Sequence, residues 1–343
     1  VTRSVVRFRA DASSRVGVGH VMRSLTLAAA VRARGHAAVL HSADLHPVLA
    51  ERARRLGVDV EAVRSAPRSV EDAIELAARP AAAVWIDGYE FDLAYMSALG
   101  GGGSLLAAID DGCEGALHGV SLVLNPNPSA TRARYADLHG VRLLLGLRFA
   151  LIRDDVLQHR RRRLTPGHLR RVVVSMGGAD PQGLTPRLVG ALARRLGDDV
   201  AVGATVGVDN LRHAEVRSAI VAAGSQCREV QPDELASALA GADLAVLAAG
   251  TTLWEAAALG VPVVSVVTAD NQQGLLDWRA GRCWTDVCDA RLPGGVDEAV
   301  ERAVALGADP VRRHEMSRRG KRLVDGRGAA RAAEALDRVL ARD

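Results

Sequence analysis

The stretch RADASSRVGVGHVMRSLTLA, Arg9 to Ala28, carries the chain from a strand into a helix. Upstream, Ser4 to Phe8 (SVVRF) is a short apolar run of strand length, and from Val21 onward Val21, Leu25, Ala28 and Val31 recur near helical spacing. Asp11 to His20 therefore reads as a strand-to-helix loop. Gly17 and Gly19 let its backbone approach a ligand closely, and the start of the helix offers free N–H groups and a partial positive charge to an anion. A dinucleotide fingerprint needs a third glycine near Met22; none stands there, which disfavours a nicotinamide cofactor.

The same alternation continues outward from this loop. Apolar runs suited to buried parallel strands occur at Ala37–Ser42, Ala81–Asp87, Leu105–Asp110, Leu122–Asn125 and Arg142–Gly146, with helix-period segments between them. An arginine-rich stretch read as helical, Asp154 to Arg163, and then Thr165-Pro166-Gly167 separate these from a second series. Its strands are read at Arg170–Gly178, Asp199–Gly207, Leu244–Gly250 and Val261–Val267, followed by amphipathic helices at about Asp297–Leu306 and Gly328–Leu340. The expected architecture is α/β, with two Rossmann-like domains at residues 1–152 and 168–325, a C-terminal helix at 326–343, and a cleft between the domains. This is the GT-B-like layout.

Composition narrows the function classes. The chain has 343 residues, 48% of them hydrophobic, with 44 basic and 40 acidic side chains, which suits a globular protein of two domains. Its positive charge is almost all arginine, Lys321 being the one lysine, and aromatic residues are 3% of the chain. So little base-stacking surface, and one dense run at Arg160–Arg163, argue against a nucleic-acid partner. The region Leu244–Val267 is interrupted by Thr251, Glu255, Gly260 and Pro262, and so does not read as a membrane span. Cys113, Cys227, Cys283 and Cys288 have no metal-binding spacing, and no cleavable apolar segment precedes the first strand, so the expected compartment is the cytoplasm.

A lone loop histidine is most often a helix cap, but His20 keeps company with Asp11, Ser13, Ser14 and Arg23. This block resembles the N-terminal motif of the UDP-2,4-diacetamido-2,4,6-trideoxy-beta-L-altropyranose hydrolases of pseudaminic acid synthesis and their spore-coat polysaccharide relatives. The resemblance implies that His20 is the catalytic base, with Gly17, Gly19 and Arg23 about the substrate and Asp11 a candidate to orient the His20 ring. It runs from Arg9 to about Gln273. WIDGYEFD (Trp85 to Asp92) supplies the family's aspartate, gap and tyrosine as Asp87 and Tyr89. After the paired Asp110 and Asp111, where the family tends to carry an arginine, this chain has Cys113-Glu114-Gly115, which leaves the sugar's substituents open. The pair itself invites a metal or glycosidase reading, but no third acidic ligand stands at a metal-binding spacing.

Three loops of the second half complete the expected site. Gly177 and Gly178 in SMGGADPQGLT free the backbone after a strand, and Asp180 or Thr185 is placed to cap the next helix. In AAGTTLWEAAALGVP, Gly250, Thr251 and Thr252 open a helix whose amides suit a diphosphate. Glu255, one turn on, either holds ribose hydroxyls or simply complements its helix dipole. In TADNQQ, Asn271 and Gln272 serve as a cap and first turn or, as the resemblance implies, face the sugar. The expected activity is hydrolysis of a UDP-linked diacetamido trideoxy hexose by water attack at the anomeric carbon, with no cofactor and no metal. A GT-B glycosyltransferase using an alcohol acceptor is the alternative.

Overall fold

The computed structural model describes residues 3–12, 18–111, 117–160, 167–178, 180–207, 210–278 and 284–341. The chain forms two compact units, Val1–Leu151 with Arg327–Asp343, and Ile152–Gly326.

In the first unit the elements are β1 (Val5–Ala10), α1 (Gly19–Ala33), β2 (Ala37–Ser42), α2 (Pro47–Arg55), β3 (Asp59–Ala62) and α3 (Val70–Ala77). They continue as β4 (Ala83–Asp87), α4 (Leu93–Gly100), β5 (Leu105–Ile109), β6 (Val120–Asn125) and β7 (Arg142–Leu145). The strands make one parallel sheet in the order β3-β2-β1-β4-β5-β6-β7. The order reverses between β1 and β4, and in such sheets ligands bind beyond the carboxyl ends of the strands at that reversal.

Alternation along β1 explains its composition. Val6, Phe8 and Ala10 join the core that also holds Val21, Leu25 and Trp85. Arg7 and Arg9 take the other positions yet are buried too. Such arginines are tolerable only when paired. Arg9 donates to Asp72 of α3 through Nε (3.1 Å) and Nη2 (2.8 Å), to Asp11 through Nη1 (2.5 Å), and lies 5.3 Å from the Phe91 ring. Burial alone would lower the Arg9 pKa, but the bonds and charges of Asp11 and Asp72 outweigh it and raise it. Arg7 donates to His41 Nε2 of β2 at 2.9 Å, and burial holds that imidazole neutral, with its pKa pushed down to about 4.

The second unit contains α5 (Asp154–Leu157), β8 (Arg171–Ser175), α6 (Leu184–Leu196), β9 (Ala201–Thr205), α7 (His213–Ala222), β10 (Cys227–Val230) and α8 (Leu235–Gly241). It continues with β11 (Leu244–Ala248), α9 (Thr251–Leu259), β12 (Val263–Val267), α10 (Gln273–Trp278), β13 (Thr285–Asp289), α11 (Gly295–Ala308) and α12 (Pro310–Leu323). Its parallel sheet runs β10-β9-β8-β11-β12-β13, again reversing after its first strand, between β8 and β11.

The last helix, α13 (Gly328–Leu340), set apart in the sequence reading, belongs to the first unit. Ala332, Ala333 and Leu336 enter its core, and Asp337 pairs with both Arg34 and His36, the latter at 2.8 Å.

Several sequence expectations are corrected. Helix α1 begins at Gly19 rather than Val21, so His20 sits on its first turn. Helix α5 ends at Leu157 and does not run toward Arg163; Arg161–Arg163 lie outside the described residues, as do Cys113 and Cys283. Strands β3, β10 and β13 and helix α12 were not foreseen. No helix among the described residues is long and apolar enough to cross a membrane.

Candidate active site

At the reversal point of the first sheet, the end of β4 meets the first turn of α1. Asp87 is the last residue of β4, fully buried, and its Oδ1 lies 2.6 Å from His20 Nδ1. Arg23, one turn after His20, grips the same carboxylate through Nε (2.7 Å to Oδ2) and Nη2 (2.6 Å to Oδ1). Its remaining arm, Nη1, reaches Asp111 Oδ2 at 2.6 Å, and Tyr89 OH donates to that same oxygen at 2.8 Å. The Tyr89 ring returns to His20 edge-on, with ring centroids 4.8 Å apart.

Burial of Asp87 by itself would raise its pKa, but the charges of Arg23 and His20, and their hydrogen bonds, hold the carboxyl below the usual carboxylate range. An ionised Asp87 only accepts, so His20 Nδ1 carries the proton and donates it. The 3.1 Å approach of Arg23 Nη2 to His20 Nδ1 is then two donors converging on one carboxylate oxygen. Nε2 is left as the basic nitrogen. No described residue hydrogen-bonds it, which suits a general base awaiting an acceptor's proton.

Asp11 does not take the orienting role expected of it. Its Oδ1 accepts from Arg9 and from the Ala43 amide (2.8 Å), and its Oδ2 lies 3.6 Å from Arg68 Nε. The position two residues after Arg9 on the extended chain directs the carboxylate to β1's own buried arginine and to the turn after β2. Asp87, visible in the sequence only as the aspartate before Gly88-Tyr89, orients His20 instead. The paired carboxylates divide: Asp111 balances Arg23, whereas Asp110 Oδ2 accepts from Tyr135 OH at 2.6 Å in a buried bond beside Asn125. Gly17 lies outside the described residues; at Gly19 an added Cβ would meet nothing within 4 Å.

In the second unit the foreseen loops follow three neighbouring strands, β8, β11 and β12. After β8, Gly177 takes φ +86°, a torsion that excludes most side chains; a Cβ added at Gly177 or Gly178 would meet nothing within 4 Å, while the Gly178 backbone itself packs closely on Gly207. Asp180 caps α6, accepting from the Leu184 and Thr185 amides at 2.9 Å each. After β11, Gly250 is extended and open to its surroundings, and Thr251 and Thr252 begin α9, whose first amides have no side-chain cap. After β12, Gln272 Oε1 accepts from the Thr268 amide at 2.8 Å, and Gln182 Nε2 donates to Thr268 O at 2.7 Å, tying the first loop to the third. Gln272 thus spends its carbonyl on its own turn; the side chain of Asn271 lies outside what is described.

Glu255 has a partner that sequence reasoning missed. Arg153, just before α5, donates to Glu255 Oε1 through Nε (2.7 Å) and to Oε2 through Nη2 (3.2 Å), a two-pronged pair. Burial of Arg153 would lower its pKa, but Glu255 and Asp155 raise it above the usual value. No spacing rule links residues 102 positions apart. Among the described residues, no cluster of three or more His, Cys, Asp or Glu is placed to hold a metal ion.

No protein-family model matches this chain. No curated protein matches it in sequence. Solved structures do match over nearly its whole length. They include the calicheamicin glycosyltransferase CalG4, with TM-score 0.65 at 18% identity, covering 100% of this chain and 99% of that one. MurG of Acinetobacter baumannii has TM-score 0.65 at 13% identity, with 97% and 99% covered. A UDP-GlcNAc 2-epimerase from Neisseria meningitidis, bound to UDP-GlcNAc, has TM-score 0.65 at 9% identity, with 99% and 100% covered. The fold is GT-B. At these identities the likeness speaks for the fold; the reaction has to be argued from the residues.

Proposed function

We propose that this chain is an enzyme that breaks the anomeric carbon–oxygen bond of a UDP-linked sugar, with His20 as general base. The observation that carries the reading is the 2.6 Å contact of His20 Nδ1 with an ionised Asp87, which leaves Nε2 to take a proton. The acceptor's oxygen bonds to the anomeric carbon, its proton passes to Nε2, and the bond to the diphosphate breaks with its electron pair leaving on UDP. Asp87 then stabilises the imidazolium that has formed. In this reading the first amides of α9, with Gly250, Thr251 and Thr252, offset the charge growing on the departing diphosphate. The missing side chains of Gly177 and Gly178 give a phosphate or sugar close access to their backbone on that side, and Glu255 accepts from the ribose hydroxyls.

Water is the acceptor favoured by the first-loop resemblance, making the chain a hydrolase of a UDP-2,4-diacetamido-2,4,6-trideoxy hexose in nonulosonic acid or surface-polysaccharide synthesis. A second reading is transfer of the sugar to an alcohol. It is supported by structural neighbours that are themselves named glycosyltransferases, including CalG4 and the spinosyn forosaminyltransferase SpnP. The same base serves both, because only the group that supplies the proton differs.

Turnover of a panel of UDP-sugars in ¹⁸O-labelled water, without added acceptor, separates them. Hydrolysis puts the label in the free sugar and none in UDP. Release of UDP only after an alcohol is added supports the transferase. Label in UDP would overturn attack at the anomeric carbon, and no release under either condition would leave a binding protein.

A further inference from the structure

Glu255 and Arg153 form a fork-to-fork pair with both carboxylate oxygens engaged, and both side chains are largely buried, at 8% and 16% exposure. Such a pair fixes the plane of the carboxylate and leaves each oxygen a further lone pair for another donor. Arg153 is itself held: Nη1 donates to Asp155 Oδ2 at 3.0 Å, and α5, which begins at the next residue, packs against both α8 and α9. Glu255 therefore cannot rotate without breaking two charge-assisted bonds, whereas an unpaired glutamate would sample several rotamers at a helix surface.

We propose that Arg153 is a positioning residue for nucleotide selectivity: by clamping Glu255 it sets the carboxylate to recognise both hydroxyls of a ribonucleotide, and so lets the site reject 2′-deoxyribonucleotides. The proposal rests on the reading of Glu255 as the ribose ligand. A site built to accept a hydroxyl's hydrogen bond discriminates strongly against an analogue that lacks it, but only when the accepting group is held in place.

The test is calorimetric binding of UDP and 2′-deoxy-UDP to the full chain and to two variants. Arg153→Met removes charge and fork; Arg153→Lys keeps the charge, protecting the fold against an uncompensated Glu255, and loses the fork. The wild-type protein is expected to prefer UDP by about 10-fold or more, the worth of one hydrogen bond to a charged group. In both variants that ratio is expected to fall to roughly 3-fold or less. Using a ratio cancels any change in attraction for the diphosphate and any general loss of stability, which act equally on both ligands. Folded variants that keep the wild-type ratio would overturn the role of Arg153 while leaving Glu255 as the ribose ligand. A wild-type protein that binds the two nucleotides equally well would overturn the ribose reading, and the Arg153 proposal with it.

Discussion

His20 and Asp87, 67 residues apart in sequence, meet at 2.6 Å where the strand order of the first sheet reverses. The contact joins the first turn of a helix to the last residue of a strand. Around it, Arg23 and Asp111 bring one more cation and one more anion, so the described charges beside the ring are two carboxylates and one guanidinium.

Replacing His20 with Ala should lower turnover by on the order of 10²–10⁴-fold, the usual worth of a positioned general base, while UDP still binds. Steady-state kinetics and UDP calorimetry on the folded variant decide this. Near-normal turnover would remove His20 from the mechanism.

Asp87→Asn keeps the shape of the side chain but loses the ionised acceptor that selects the Nδ1–H tautomer. Turnover should again fall by on the order of 10²–10⁴-fold, and His20→Ala combined with Asp87→Asn should be scarcely worse than His20→Ala alone, since the two act as one unit. Multiplicative losses in the double variant would mean that Asp87 acts separately from the ring. Because Arg23 also loses a partner, the variant should melt at a lower temperature, and activity is to be compared where circular dichroism shows it folded.

Glu255→Ala should weaken UDP binding by about 1.5–3 kcal/mol if a charge-assisted bond to ribose is lost. It should also destabilise the second unit, by on the order of 3 kcal/mol, because it strands the largely buried Arg153. Thermal melts with and without UDP separate the two effects. Loss of stability with unchanged UDP affinity would make Glu255 a structural partner of Arg153.

The buried His41 gives the fold a pH dependence of its own. Its folded pKa of about 4 is below the unfolded value near 6.5, so between those limits the unfolded chain binds the extra proton. Stability should therefore decline as the pH falls from about 6.5 to about 4, by at most about 3 kcal/mol, and this contribution should level off below that. His41→Gln, which can still accept from Arg7, should flatten that part of a urea-denaturation series. An unchanged slope would assign the acid sensitivity to other groups.

The two-fold repetition of strand and helix was legible because central parallel strands are buried on both faces and so appear as unbroken apolar runs, as in LAVLA of β11 and VVSVV of β12. The strands that escaped notice are edges. DVEA of β3 leaves most of its residues exposed, and CREV of β10 has the exposed Arg228 and half-buried Glu229 at its middle, so neither has an apolar run to read. In β13, polar residues are buried instead: Thr285 bonds to the buried Ser265 at 2.8 Å, and Asp286 accepts from the exposed Arg312 at 2.6 Å. Local chemistry also announced His20, the glycines at the strand ends and the helix opened by Thr251, because glycine torsions and helix termini are properties of adjacent residues. What only the tertiary structure decided is which charges meet. Asp11 stood nearer to His20 in sequence than Asp87 did, and Arg153 stood 102 residues from Glu255; parallel strand pairing and helix packing, acting over the whole of each unit, brought the second of each pair into hydrogen-bonding distance and turned Asp11 toward Arg9.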